Sequence, residues 1–597
     1  MQKLKFLLLE HRLILGLAAV LAMLMILPLL LFPLISDTSY RGINIASHGL
    51  DELWYLSRGK EVTEGHGLGN PLFREGKEAQ DPYFTYAEYP LLSPLKWLGL
   101  TDVVTVPSFY AVFNAVGVFF LVLFIYFFVL QLSSDKLLSA AAAVMVIGGY
   151  IVALPNQLFS INVYSRAFSP YLPLLITFIY VNFLIKALRQ TSWKYVFLSA
   201  LAFGALFYTY FYAWSYILAV NGILFCIYLL RHEWSTAKRV FISAALGVGI
   251  GSLNIYHLWA ASSSAMGKQL SYFHWVEHTR IPSASLFSFA VALLLIFFAL
   301  KKRNDQNLPI FLSFILAGWL VMNQQIITGR MLQSGHYYSH FVIPFSLLVG
   351  GYILWPFLKK DSYKKIVATL LILPALLNTA AGQYRAALTQ LQDKIYRQNY
   401  RPLIDALNKE KTPGVILAAD HQDQYLFTIY TSHDLFWARG YLIVNVPFEE
   451  RVKDALFVYM YFNKAARSDF KKYLNSALEK PDKLAIYGNN PVWFYGGIFE
   501  TLEGYQSGLA YFDYENRVSS GLGDREIKEK RVWFIDTLTK EYAAWAKTPQ
   551  SVLQTFKKYG INYIVWDKNK NPEWDLSFLP NKEEIASSNN IILYRLK

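Results

Sequence analysis

Charge is scarce in this chain and cysteine is nearly absent. Of 597 residues only 16% are Asp, Glu, Lys or Arg, whereas 54% are hydrophobic and 17% aromatic. Soluble proteins rarely combine these figures, so the composition points to a membrane protein. The single cysteine, Cys226, lies within an apolar run, which excludes an intramolecular disulfide and a cysteine-ligated zinc site. The sequence contains no Gly-rich phosphate loop, no nucleic-acid-binding motif, no tandem repeat and no low-complexity segment. Its formal charge of +14 is therefore not the footprint of a nucleic-acid partner. In a membrane protein an excess of Lys and Arg marks cytoplasmic connections.

Apolar runs close to the ~20 residues that cross a bilayer recur along the first two-thirds of the chain. About eleven spans are expected, at 12–35, 108–131, 137–154, 171–187, 194–212, 214–231, 239–261, 284–300, 308–323, 341–358 and 365–382. The basic N-terminus and first apolar run resemble a signal peptide. The run is too long for one, however, and continues into PLISDTSYRG without a small-residue cleavage site, so a retained first span is expected. The fifth and sixth spans are joined by Tyr208-Thr209-Tyr210-Phe211-Tyr212, an aromatic belt suited to an interface.

Charge sets the direction. With the N-terminus cytoplasmic, the inner connections 131–136, 189–194, 231–239, 301–307 and 359–365 carry Lys136, Arg189, Lys194, Arg231, Lys238, Arg239, Lys301, Lys302, Arg303, Lys359, Lys360, Lys364 and Lys365. The short outer loops carry only Arg166, Lys268, Arg280 and Arg330. This is the positive-inside pattern, and an odd number of spans puts the C-terminal region outside. Beyond residue 385 charge becomes frequent. Apolar runs at 414–419, 483–487, 562–566 and 591–596 read as strands, and helical patterns cover 449–461 and 551–559. The expected fold is thus a polytopic α-helical membrane protein with a C-terminal extracytoplasmic α/β domain. Residues 1–384 form the transmembrane module, with a long first outer loop at 36–107, and residues 385–597 form the soluble domain. It is expected to sit in the cytoplasmic (inner) membrane, with the lipid bilayer as a partner and no nucleic acid.

The first outer loop opens with an acidic pair, Asp51-Glu52, on a segment (49–62) with Leu50, Leu53, Trp54 and Leu56 at helical spacing. Such a helix is expected to lie along the outer interface with its apolar side to lipid, its two acids in the first turn where the helix dipole favours negative charge. The string DELWYLSRGKEVTEGHGLGNP, residues 51–71, resembles the GT-C superfamily of membrane glycosyltransferases. Protein O-mannosyltransferases, aminoarabinose transferases and oligosaccharyltransferase catalytic subunits belong to it. There a first span leads into a long extracytoplasmic loop, and an Asp, often Asp-Glu, opens an interfacial helix. The superfamily often has a basic residue and Pro-Pro-Leu before the second span. This chain keeps Pro90-Leu91 but has Glu88-Tyr89 where the basic residue and first proline would stand. The resemblance covers about the first 110 residues by motif and the next ~275 by topology.

What the resemblance implies is transfer of a hexose or pentose from a polyprenyl-phosphate-linked donor to a glycan, lipid or protein acceptor outside the membrane. Asp51 is then the expected general base, with Glu52 orienting, binding metal or capping the helix. The leaving lipid phosphate needs cations or hydrogen-bond donors. Arg330 and Arg166 suit it through bidentate guanidinium contacts, and His336 and His340, at i,i+4 spacing, join them. Asp81, Glu88, Asp102 and Glu277 are further outer acids, hard oxygen donors for a divalent cation such as Mg²⁺ or Mn²⁺. Asp420 and Asp423 follow the strand at 414–419. Two other functions compete. One is an envelope-polysaccharide ligase or polymerase acting on a diphosphate-linked glycan, which needs no Asp-Glu after the first span. The other is a lipid or glycan transporter or flippase, against which stand the lack of an inverted repeat and the few charges within the spans.

Overall fold

A computed structural model describes residues 9–46, 49–79, 85–190, 192–263, 276–277, 279–419, 422–438, 449–478, 498–499, 502 and 524–597. The first apolar segment forms α1 (Arg12–Met25) and α2 (Leu27–Ser36), which meet at a 51° bend. Pro28, in the first turn of α2, has no N–H to continue the hydrogen-bond ladder of α1, which localises the bend. Next come α3 (Leu50–Glu64) and α4 (Glu88–Trp97), then α5 (Val106–Ser133), α6 (Lys136–Gly148), α7 (Tyr171–Arg189), α8 (Trp193–Phe207), α9 (Phe211–Leu230) and α10 (Trp234–Ser263). They are followed by α11 (Leu286–Lys301) and α12 (Leu308–Met322). A helical turn (Ser334–Tyr337) and a π-helical stretch (Tyr338–Val342) lead into α13 (Ile343–Leu354), and α14 spans Asp361–Thr389.

Each expected apolar segment falls on a helix. Among the described residues, seven helices are long and apolar enough to cross a bilayer, with an eighth if the bent α1–α2 pair counts as one span. The helices α6, α8 and α11 are shorter, at 13, 15 and 16 residues. The chain is a multi-pass membrane protein.

The five basic connections meet at one end of the bundle. Arg189 donates from Nη2 to Asn307 Oδ1 and from Nη1 to Gln131 O, both at 2.5 Å. Arg239 Nη2 donates to Leu188 O at 3.3 Å, and Lys364 pairs with Asp135 at 3.1 Å. The opposite end carries α3, α4 and the segment that follows α14.

That segment builds a five-stranded mixed sheet in the order β4 (Asp434–Leu435), β3 (Val415–Ala418), β5 (Ile561–Asp567), β7 (Ile591–Leu596) and β6 (Lys582–Ser588). The two-residue strands β1 (Val276–Glu277) and β2 (Met331–Leu332) pair with each other, apart from it. In the larger sheet β3 runs parallel to β4 and β5. The strand β7 is antiparallel to β5 and to β6. The uninterrupted Val-Ile-Leu-Ala of β3 is buried throughout, as a strand covered on both faces requires. Helices α15 (Tyr425–Tyr430), α16 (Glu449–Phe462), α17 (Asp524–Trp545) and α18 (Gln550–Tyr559) accompany the sheet. Gly560, at φ 64°, ends α18 at the turn into β5. The strand expected at 483–487, and Asp81 and Asp420, lie outside the described residues.

This region is stitched to the first loop. Leu435 N–H donates to Leu72 O at 2.7 Å, Lys77 pairs with Asp434 at 2.7 Å, Ser57 Oγ lies 2.8 Å from Thr428 Oγ1, and Gln398 Nε2 donates to Ile43 O at 2.8 Å. One expectation is overturned as a result. Helix α3 does not turn an apolar side to lipid; Leu53, Trp54, Leu56 and Val62 are buried, and so are the polar Glu52, Ser57, Arg58, Glu61 and Thr63. Helices α4, α5 and α15 supply the cover that lipid was expected to give. Gly59 permits this approach, because a Cβ there would stand 2.9 Å from atoms of Leu92, Val106 and Tyr110. Gly59→Val is expected to destabilise the protein by about 1–3 kcal/mol, the usual range for overpacking. Thermal melting in detergent checks this, and a wild-type melting temperature contradicts the packing.

Candidate active site

Helix α3 begins after Gly49, whose φ of 88° turns the chain into the helix and places Asp51 and Glu52 in its first turn. There the unpaired amides and the helix dipole favour carboxylates. The two acids receive different surroundings. Asp51 is 45% exposed and accepts a hydrogen bond from Arg166 Nη2 at 2.7 Å. Glu52 is 2% exposed, and its Oε1 accepts from the Ala167 N–H at 2.7 Å. Burial pushes the Glu52 carboxyl up from 4.5 to about 7, against the opposing pull of the Arg166 charge and the Ala167 amide.

The segment that carries Arg166 is itself fixed from the bundle. Asn114, an amide inside apolar α5, donates from Nδ2 to Tyr164 O at 2.7 Å and to Arg166 O at 2.8 Å. Asn162 accepts from the Tyr164 N–H at 2.9 Å and donates to Ile147 O at 2.9 Å. Arg166 Nε is buried and, among the described residues, has no hydrogen-bond partner. Beside Arg166 opens a cavity of about 300 Å³, lined also by Tyr150, Gln157, Tyr164 and Ser339.

His336 and His340 belong to the same neighbourhood. Their rings stack at 5.4 Å, and the Tyr210 hydroxyl is hydrogen-bonded to His336 Nδ1. The charges of Arg166 and Asp51 both reach His336, that of Arg166 reaches His340 and Tyr210, and that of Asp51 reaches Tyr425 on α15. The other anticipated residues are placed elsewhere. Arg330 is exposed, with its N–H on Thr328 Oγ1 at 3.2 Å. Glu88 is fully buried against Arg58 at 2.7 Å, where Arg58 also donates to Thr85 O at 2.8 Å. Asp102 lies on an exposed turn, and the side chain of Glu277 is outside the described residues. Asp423 is buried between Arg397 at 2.7 Å and Lys570 at 2.6 Å.

For a divalent cation the fit around Asp51 is poor, since its carboxylate is already charge-paired with Arg166 and Glu52, turned inward, gives one oxygen to the Ala167 amide. One group of metal-ligand type occurs among the described residues, Glu61, Glu64 and His66, with ligand atoms within 4.8 Å of one another. Lys77 lies 2.6 Å from Glu61 and Lys60 3.1 Å from Glu64, so both carboxylates already have ammonium partners. Ten residues along the helix from Asp51 is about 15 Å, too far for that group to share a substrate atom with it.

The sequence alone did not single out Arg58, Asn114, Tyr210 or Tyr425. Asn114 carried a signal, being a polar residue inside an apolar span. Tyr210 was visible only as part of an aromatic belt. No local pattern marks Tyr425, some 370 residues from the acids it approaches.

No family model matches this sequence, and no curated protein matches it. Among solved structures the chain is similar to the oligosaccharyltransferase of Archaeoglobus fulgidus. To the apo crystal structure the identity is 12% and the TM-score 0.39, over 93% of this chain and 69% of that one. To the structure in complex with Zn and sulfate they are 12% and 0.42, over 97% and 88%. A likeness at this level transfers no residue role.

Two outcomes are expected from the site's electrostatics. Because the Glu52 carboxyl is raised in the folded state, the folded protein binds the proton more tightly than the unfolded chain does. Stability is then fully present below pH 4.5 and falls as pH rises to about 7, by roughly 3 kcal/mol in all. Melting temperatures across this window should decline in the wild type relative to Glu52→Gln, and parallel curves contradict the assignment. Arg58→Ala leaves Glu88 buried without its partner and should cost about 3–5 kcal/mol, largely regained when Glu88→Leu is added to Arg58→Met. Chemical denaturation reads both.

Proposed function

We propose that this protein is a membrane glycosyltransferase of GT-C type, with eleven crossings and its acidic pair on the extracytoplasmic face. It transfers a sugar from a polyprenyl-phosphate donor to an acceptor that approaches Asp51. The observation that carries this proposal is the state of Asp51: a carboxylate half open to solvent, held by a guanidinium at 2.7 Å at the mouth of a helix bundle. A base that removes the acceptor's proton must be reachable, and its orientation must be fixed. The Arg166 contact supplies the second condition and the exposure supplies the first. General-base assistance of this kind accelerates transfer typically 10²–10⁴-fold.

The leaving group is the lipid phosphate, whose charge develops as the glycosidic bond breaks. Arg166, whose Nε has no partner among the described residues and adjoins the cavity, is the first candidate to meet it, and the Tyr210–His336 pair stands next to it. The C-terminal region, bonded to the first loop through Leu72, Lys77 and Ser57, bounds the acceptor's approach. No step is assigned to a metal ion.

Transfer from a radiolabelled polyprenyl-phosphate sugar in proteoliposomes tests the proposal. Asp51→Asn should lower kcat about 10²-fold or more with little change in KM. Arg166→Lys should lose bidentate phosphate binding and raise KM. Full activity of Asp51→Asn contradicts the assignment and favours a diphosphate-glycan ligase or polymerase.

A further inference from the structure

Behind the acidic pair, α2, α3, α5 and the Arg166 segment line a second, much smaller cavity of about 20 Å³, with Leu29, Asn44, Glu52, Tyr110, Asn114 and Ser165 among its residues. Four buried oxygens of its lining, Asn44 Oδ1, Glu52 Oε2, Tyr110 OH and Asn114 Oδ1, have no hydrogen-bond partner among the described residues. Buried polar atoms are almost always paired, so four around one chamber call for a common partner. The volume suits a single water, which needs about 10–15 Å³ and two to four polar contacts.

The other ends of these groups are already tied down. Asn44 Nδ2 donates to Leu29 O at 2.8 Å, and Asn114 Nδ2 donates to Tyr164 O and Arg166 O. Glu52 Oε1 accepts from the Ala167 N–H. Both amides therefore present oxygen, an acceptor only, to the chamber. Tyr110 and Glu52 are not hydrogen-bonded to each other, so the phenol proton is also left for a guest. A water has two hydrogens and two lone pairs. Its hydrogens serve Asn44 and Asn114, and one lone pair takes the Tyr110 proton. The remaining lone pair can only accept, and the one group left is Glu52. An ionised Glu52 would instead be a third acceptor competing for two hydrogens.

Charge leads to the same result. The groups facing Glu52 are Asp51 on its own helix, Arg166 and the Ala167 amide from the segment before α7, Tyr110 from α5 and Tyr171 from α7. The one cation among them donates to Asp51. We propose that the chamber binds one water molecule, which holds Glu52 as a neutral carboxylic acid, and that Glu52 is a proton-carrying positioning residue rather than a second base. Neutral Glu52 leaves the guanidinium to Asp51 alone. Once ionised, it competes for Arg166 and loosens the hold on Asp51.

The kinetic consequence rests on the glycosyltransferase proposal; the spectroscopic one does not. Infrared difference spectra of wild type minus Glu52→Gln, recorded on the full chain in nanodiscs, should show a protonated-carboxyl band that bleaches as pH rises through about 7. Tyr110→Phe, or Asn114→Leu where the first variant folds poorly, should shift that band, because each removes a partner of the water. In the transfer assay, the wild-type rate should fall through the same pH range and the Glu52→Gln profile should lack that limb, whatever its height. An ionised carboxylate at every pH overturns the proposal, and so does a band indifferent to both chamber variants. A carboxylate band that responds to Na⁺ overturns it in favour of a cation site. A titrating band without transfer activity upholds the chamber and removes only the glycosyltransferase proposal.

Discussion

Charges carried on an enclosed helix need partners, because an unpaired ion removed from water costs several kcal/mol or neutralises. Helix α3 brings Asp51, Glu52, Arg58 and Glu61 to the mouth of the bundle, and together they draw in the Arg166–Ala167 segment, α4 and the Lys77 loop. Asp51 takes Arg166 and Glu52 takes the amide of Ala167. Two turns on, Arg58 takes Glu88 of α4. At the far end Glu61 takes Lys77, which also pairs with Asp434 on β4 and so reaches the C-terminal sheet. The arrangement of loop, bundle and sheet around the site follows from satisfying one helix.

The same enclosure separates two neighbouring carboxylates. Side chains at consecutive helical positions diverge by about 100°, so Asp51 looks outward and Glu52 inward. One is half exposed and ion-paired; the other is buried and raised to about 7. Paired acids whose surroundings drive them apart are how a site obtains an ionised group and a neutral one from the same chemistry. The notion of Asp51 as base and Glu52 as a held proton belongs to this division.

Much of the bundle was legible because twenty apolar residues need no distant information to be read as a span. The opening of α3 by Asp51-Glu52 was legible for a similar reason, since caps and first-turn acids are local. Which arginine answers Asp51 was not. Arg166 and Arg330 look alike in sequence as lone cations in short loops; in space Arg166 is clamped by Asn114 and paired with Asp51, whereas Arg330 is exposed. The burial of α3 was hidden because part of its cover comes from α15, far along the chain. The strand β6, Lys-Glu-Glu-Ile-Ala-Ser-Ser, was missed because it is a charged edge strand without apolar alternation.

The most direct measurement is a structure of the protein in a lipid nanodisc with a non-hydrolysable polyprenyl-phosphate sugar. The account predicts the phosphate against the Arg166 guanidinium, with the sugar's anomeric carbon facing the space in front of Asp51. A phosphate bound away from Arg166, His336 and Asp51 contradicts it.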